Sequence, residues 1–100
     1  MTRNPTFDQL LDDMKELHRR KNEDYAHEGS PYSNFELAAA IAGVSVDTVF
    51  AVLLGVKMAR LQVIAGKAEV NFESEVDNLR DAAVYAALRA SYALDHPGSA

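Results

Sequence analysis

Residues 46–65, VDTVFAVLLGVKMARLQVIA, are the most apolar stretch of this chain, and a lysine stands near their centre. On a helix of 3.6 residues per turn, Phe50, Leu53, Leu54, Leu61 and Ile64 share a face with Lys57. Arg60 follows one turn on, close to the same stripe, while Gly55, Ala59, Gln62 and Gly66 form the opposite side. A fold that buries this stripe must give the ammonium a carboxylate, a phosphate or a route to water, because an isolated buried charge loses its proton. Two readings follow. Either the basic side chains leave the core edge or pair with structural acids, or they form an anion site.

One hundred residues allow one domain, 1–100, with residues 1–5 and 96–100 expected to fray. A chain of this size buries only about two-thirds of its unfolded surface, so a homo-oligomer is the expected way to bury more. Net charge is −5, and no basic run exceeds His18-Arg19-Arg20-Lys21. That balance argues against a nucleic-acid partner held by phosphate neutralisation, but leaves room for one local site for a small anion. With no cysteine, disulfides, thiolate zinc and thiol chemistry are out. His18, His27 and His96 lack ligand spacing and read as surface residues. No apolar leader opens the sequence and two charges interrupt the apolar run, so the expectation is a cytoplasmic protein without a membrane partner.

The pattern is helical throughout. Thr6 with Gln9 resembles a capping box, and Phe7, Leu10, Leu11, Met14 and Leu17 repeat at helical spacing, predicting a helix from residue 7 to 21 or 22. Residues 23–31 read as a loop because of Gly29 and Pro31. Ser33 with Glu36 predicts a short helix ending at Gly43. Ser45 caps a long third helix that ends at Gly66, and Asn71 caps a fourth from residue 72 to about 94. No strand periodicity persists. The expected fold is an all-α, four-helix, bundle-like domain.

In the fourth helix Phe72, Val76, Leu79, Ala83, Ala86, Ala90 and Leu94 form one apolar stripe. Nearly opposite, Glu73, Asp77 and Asp81 stand at i, i+4 and i+8, a line continued by Val84 and Leu88. A helix apolar on two sides is sandwiched, which places the acids partly inside. Like charges at this spacing repel by about 0.2–0.5 kcal/mol per pair when exposed, and by more where water is excluded. A divalent cation, or Lys57 and Arg60 across a helix interface, would compensate Asp77 and Asp81. A solvated acidic stripe is the plainer alternative. Around the 23–31 break, Lys21, Asp24 and Tyr25 precede and Asn34-Phe35 follows. Such groups suit a nucleobase, and the aromatic ones equally suit the end of a bundle.

Lys21-Asn22-Glu23-Asp24-Tyr25, Asn34-Phe35, Gly43-Val44-Ser45, Lys57-Met58-Ala59-Arg60-Leu61 and the 73–86 segment follow in order. Together they resemble the phage and bacterial nucleotide modification associated domain family, in which K-x-x-D-Y, N-F, K-x-x-R-L and E-S-x-x-D-x-L-x-D-x-x-x-Y-A recur. The resemblance spans residues 21–88. It implies kinship with the all-α MazG-like nucleoside triphosphate pyrophosphohydrolases, which use Mg²⁺ and assemble as dimers or tetramers. Carried over, it makes Lys57 and Arg60 phosphate-binding catalytic residues and makes Glu73, Asp77 and Asp81 ligands to Mg²⁺ (or Mn²⁺), with Asp77 also catalytic. Lys21, Asp24, Tyr25, Asn34 and Phe35 would bind the sugar and base of a nucleoside triphosphate substrate. Products would be a monophosphate and pyrophosphate, in a bacterial or phage-infected host cytoplasm. The chain departs from this pattern in lacking an E-E-x-x-E helix ahead of the second acidic motif; Asp12-Asp13-Met14-Lys15-Glu16 is the nearest approach. Binding without hydrolysis therefore stays open.

Residues 37–55, LAAAIAGVSVDTVFAVLLG, also resemble the helix-turn-helix of LacI-type repressors. A recognition helix needs polar side chains to reach base edges, and Asp47, Phe50 and Ala51 supply no arginine, glutamine or asparagine. A DNA-binding regulator and a non-catalytic helical interaction protein are the alternatives to the nucleotide reading.

Overall fold

The computed structural model describes residues 2–25, 30–67 and 72–98, and of residues 22–25 and 72–74 the backbone alone. Four helices follow in order, α1 Pro5–Tyr25, α2 Ser33–Ala42, α3 Val46–Ala65 and α4 Phe72–Asp95, with no strand among the described residues. The fold is all-α. It divides into two compact units, Met1–Asn34 and Phe35–Ala100.

In the first unit α1 starts two residues before the expected position. Asn4, rather than Thr6, is the cap: its Oδ1 accepts the Phe7 amide at 3.0 Å, and Pro5 takes the first helical position, where a missing N–H costs nothing. Gln9 turns instead to Asp13, donating to Oδ1 at 2.9 Å. The helix also continues past residue 22 to Tyr25, since nothing between His18 and Tyr25 interrupts a helix. Phe7, Leu10, Leu11 and Leu17 of its apolar stripe are exposed.

On the polar side of α1, Arg19 and Arg20 both reach Glu16, at 2.8 and 3.2 Å. The Arg19 hydrogen bond, aided by Arg20, lowers the Glu16 pKa from 4.5 to about 2. A carboxylate whose folded pKa is depressed stabilises the fold above its unfolded value and stops doing so as pH falls. The Glu16 contribution is therefore complete above about pH 4.5 and lost towards pH 2, with a small size because the pair is exposed. NMR titration of the Glu16 carboxyl carbon should show the low midpoint, and Arg19→Gln should move it back up. An ordinary midpoint in the unmutated protein would mean that the Arg19 pair does not persist in solution.

In the second unit α2 ends at a left-handed glycine. Gly43 has φ +71°, and Val44 N–H donates to Ala39 O at 3.0 Å, the six-to-one bond of a Schellman turn. Ser45 then caps α3, its Oγ accepting from Thr48 N–H at 3.1 Å. Gly66 closes α3, its N–H donating to Gln62 O at 3.2 Å while the next residue, Lys67, donates its N–H to Ile64 O at 3.1 Å. The α3 and α4 helices pack against each other, and the pairs Asp47–Arg89, Lys57–Asp81 and Ile64–Asn78 make them antiparallel. Phe50 is 1% exposed, with the Phe35 ring 4.7 Å and the Tyr92 ring 6.2 Å from it. The α3 stripe named from sequence faces α4: Leu53, Leu54, Lys57, Leu61 and Ile64 are all half-buried.

The face of α4 that packs differs from the expected one. Leu79 is 50% and Leu94 80% exposed, and Ala83, Ala86 and Ala90 are exposed with them. Instead Asn78, Asp81, Ala82, Tyr85, Leu88 and Tyr92 turn inward, a seam spaced by three and four residues. The cause lies across the interface. Tyr92 completes the aromatic cluster at Phe50, and Asp81 meets the charge that α3 carries on its own inner stripe. The expected Asn71 cap lies outside the described residues, as does His27. His96, expected on the surface, is half-buried and stacks on Tyr92 at 4.0 Å.

Candidate functional site

The inner stripe of α3 brings Lys57 onto α4, where its Nζ lies 2.9 Å from Asp81 Oδ2. The lysine side chain is 15% and the aspartate 30% exposed, so the ion pair sits at the edge of the helix interface. One turn along α3, Arg60 is exposed and has no hydrogen bond or ion pair with the described residues. It borders a shallow cleft of about 330 Å³ with Ala59, Val63, Ile64 and Asn78. The walls are mainly apolar, and Arg60 and Asn78 bring the polar groups. Asn78 is 9% exposed.

The carboxylates of α4 separate. Asp81 faces α3, whereas Asp77 is 63% exposed and accepts from Arg80 Nη2 at 2.6 Å along its own helix. Asp77 and Asp81 thus each have a cation of this chain, and no three acidic, histidine or cysteine side chains gather among the described residues. The Glu73 side chain lies outside the described residues. As donors, Asp77 and Asp81 remain of the hard-oxygen kind that Mg²⁺ takes, one helical turn apart on one edge of α4.

The remaining sequence-named residues are dispersed. Lys21 is exposed on α1 and Asn34 is exposed near the start of α2, both in the first unit. The side chains of Asp24 and Tyr25 lie outside the described residues. Phe35 is half-buried and packs on Phe50 as part of the core. Lys57 and Asp81 are therefore brought together within the second unit, with Arg60 one turn along α3 from Lys57 and Asp77 one turn along α4 from Asp81. Asn78 borders the cleft and Arg80 holds Asp77, and neither is a fixed position of the motifs named from sequence. The seam of residues 78, 81, 85, 88 and 92 was the signal that would have placed Asn78 inside.

No protein-family model, curated protein or solved structure matches this chain.

Proposed function

We propose that Lys57 and the cleft bordered by Arg60, one helical turn further along α3, bind the phosphates of a nucleoside triphosphate and that the protein acts as an Mg²⁺-dependent pyrophosphohydrolase, releasing a monophosphate and pyrophosphate. The observation that carries this reading is the edge-buried Lys57–Asp81 pair next to Arg60, an arginine without a partner among the described residues. The guanidinium offers a planar fork to phosphate oxygens. A phosphate arriving at Lys57 competes with Asp81 for the ammonium, and a released Asp81 carboxylate is free to take a hard cation near the same phosphate. Mg²⁺, held by Asp77 and Asp81 with Glu73, would supply charge neutralisation and a polarised water. Val63 and Ile64 give the cleft an apolar wall suited to the flat face of a base or to a sugar.

The test is incubation with a panel of NTPs and dNTPs plus Mg²⁺ or Mn²⁺, with products separated by ion exchange. Monophosphate and pyrophosphate from one or a few nucleotides are the expected result. Arg60→Met, at an exposed position, should keep the helical content and melting temperature while weakening nucleotide binding about 10-fold or more, the loss of one charge-assisted contact. Equal nucleotide binding by Arg60→Met and the unmutated protein would remove Arg60 from the site. Binding without turnover would reduce the reading to a nucleotide binder.

A further inference from the structure

We propose that the Lys57–Asp81 ion pair is an internal block on the site, which opens for a polyanion and a divalent cation together and resists either one alone. The inference rests on the proposed function, in which Lys57 meets phosphate and Asp81 a cation, and adds the condition under which they bind. Lys57 Nζ stands 2.9 Å from Asp81 Oδ2, with the two side chains 15% and 30% exposed. Asp77 is closed in a similar way by Arg80 Nη2 at 2.6 Å, although its own side chain is 63% exposed. Each of these carboxylates therefore already has a cation of the chain, and the Lys57 ammonium already has an anion. Arg60, exposed at the cleft, has no hydrogen bond or ion pair with the described residues.

A polyanion arriving alone can meet Arg60, but to reach Lys57 it must displace Asp81. The displaced carboxylate is then left beside a polyanion at the edge of a helix interface, where water screens the repulsion poorly. A divalent cation arriving alone takes Asp81 and leaves the Lys57 ammonium next to it, the same conflict with the signs reversed. When both arrive, Asp81 exchanges the ammonium for the cation and Lys57 exchanges the carboxylate for a phosphate oxygen. Two attractive pairs replace one, and no charge is left over. Losing or keeping a charge-assisted hydrogen bond changes binding by about 10–100-fold. Cation and polyanion should therefore raise each other's affinity by a factor of about that size, and linkage makes the factor equal in both directions. Arg80 adds less to the block, because its pair with Asp77 is more exposed to water.

Isothermal titration of the whole chain tests the block without any turnover, using inorganic pyrophosphate in EDTA as one probe and Mn²⁺ alone as the other. Single probes matter, because a metal ion and pyrophosphate chelate each other in solution and imitate coupling. The unmutated protein should bind each probe weakly. Asp81→Asn removes the competing charge at the same side-chain size and should bind metal-free pyrophosphate about 10-fold more tightly. Lys57→Met should bind Mn²⁺ alone about 10-fold more tightly, and Arg80→Gln should gain by a smaller factor. An ion pair with a structural part only would lower the melting temperature of these variants and raise neither affinity. If Asp81→Asn does not fold, Lys57→Met with Mn²⁺ decides. Unchanged or weaker binding of the matching probe by a folded variant would overturn the inference. So would tight binding of metal-free pyrophosphate by the unmutated protein, which needs no variant. Both results leave the nucleotide reading in place as long as the unmutated protein binds nucleoside triphosphate with Mg²⁺. Absence of that binding removes the nucleotide reading, and this inference with it.

Discussion

Phe50→Ala is expected to cost about 3–5 kcal/mol, the range for truncating a buried aromatic ring. Phe50 is the largest fully buried side chain among the described residues, and Phe35 and Tyr92 lean on it from α2 and α4. The other buried residues of the second unit are Ala39, Asn78 and Ala82, which have little apolar bulk to close the cavity. Small domains have about 5–15 kcal/mol in all, so the substitution removes a large share. The melting temperature should fall by about 15–30 °C, and Phe50→Leu, which keeps most of the volume, should lose much less. A fall in the melting temperature of only a few degrees for Phe50→Ala would mean that the three rings do not form the core in solution.

The second large effect is at the interhelical ion pair. Asp81→Leu strands a lysine that is 15% exposed, and Lys57→Met strands a carboxylate that is 30% exposed. Exposed pairs are worth less than about 1 kcal/mol, and breaking a buried one costs about 3–5. An edge-buried pair falls between, so each single variant should lose about 2 kcal/mol. The double variant Lys57→Met with Asp81→Leu should lose less than either, because no charge is left without a partner and apolar atoms fill the seam. Denaturant titration of the four proteins gives the coupling energy directly. Simple additivity would show that the two groups do not act as a pair. The double variant also separates folding from binding: it should stay folded and bind nucleoside triphosphate at least about 30-fold more weakly, since the lysine contact is gone. Unchanged affinity in that folded variant would end the role of Lys57 as a phosphate ligand.

These two expectations draw on different amounts of sequence information. Phe50 and the α3 stripe were legible, because a helix has one period and five large apolar residues on one side leave little choice of face. The need of Lys57 for a carboxylate was legible as well, from the cost of burying a charge. Its partner was not. Asp77 and Asp81 are one turn apart, and either is within reach of a cation on the same helix or on the next. Packing of the α4 seam rotated Asp81 inward and left Asp77 to Arg80. The same rotation left the alanine and leucine stripe of α4 facing out. That helix is apolar on two sides, and hydrophobic content alone does not rank two similar faces.

The helix ends, by contrast, are local events. Ser45 accepting the Thr48 amide, Gly43 at positive φ and Gly66 at the close of α3 each involve residues within a few positions of one another. The sequence by itself therefore determined that the chain is helical, that α3 is its apolar element and that α3 begins at the Ser45 cap. The start of α1 was decided by neighbours just as near, but Asn4 with Pro5 prevailed over Thr6 because proline is at ease in the first turn. Only the tertiary structure decided which side of α4 is inside and which aspartate meets Lys57. Those outcomes depend on how two surfaces, far apart in the chain, fit together, and no spacing within one helix contains that information.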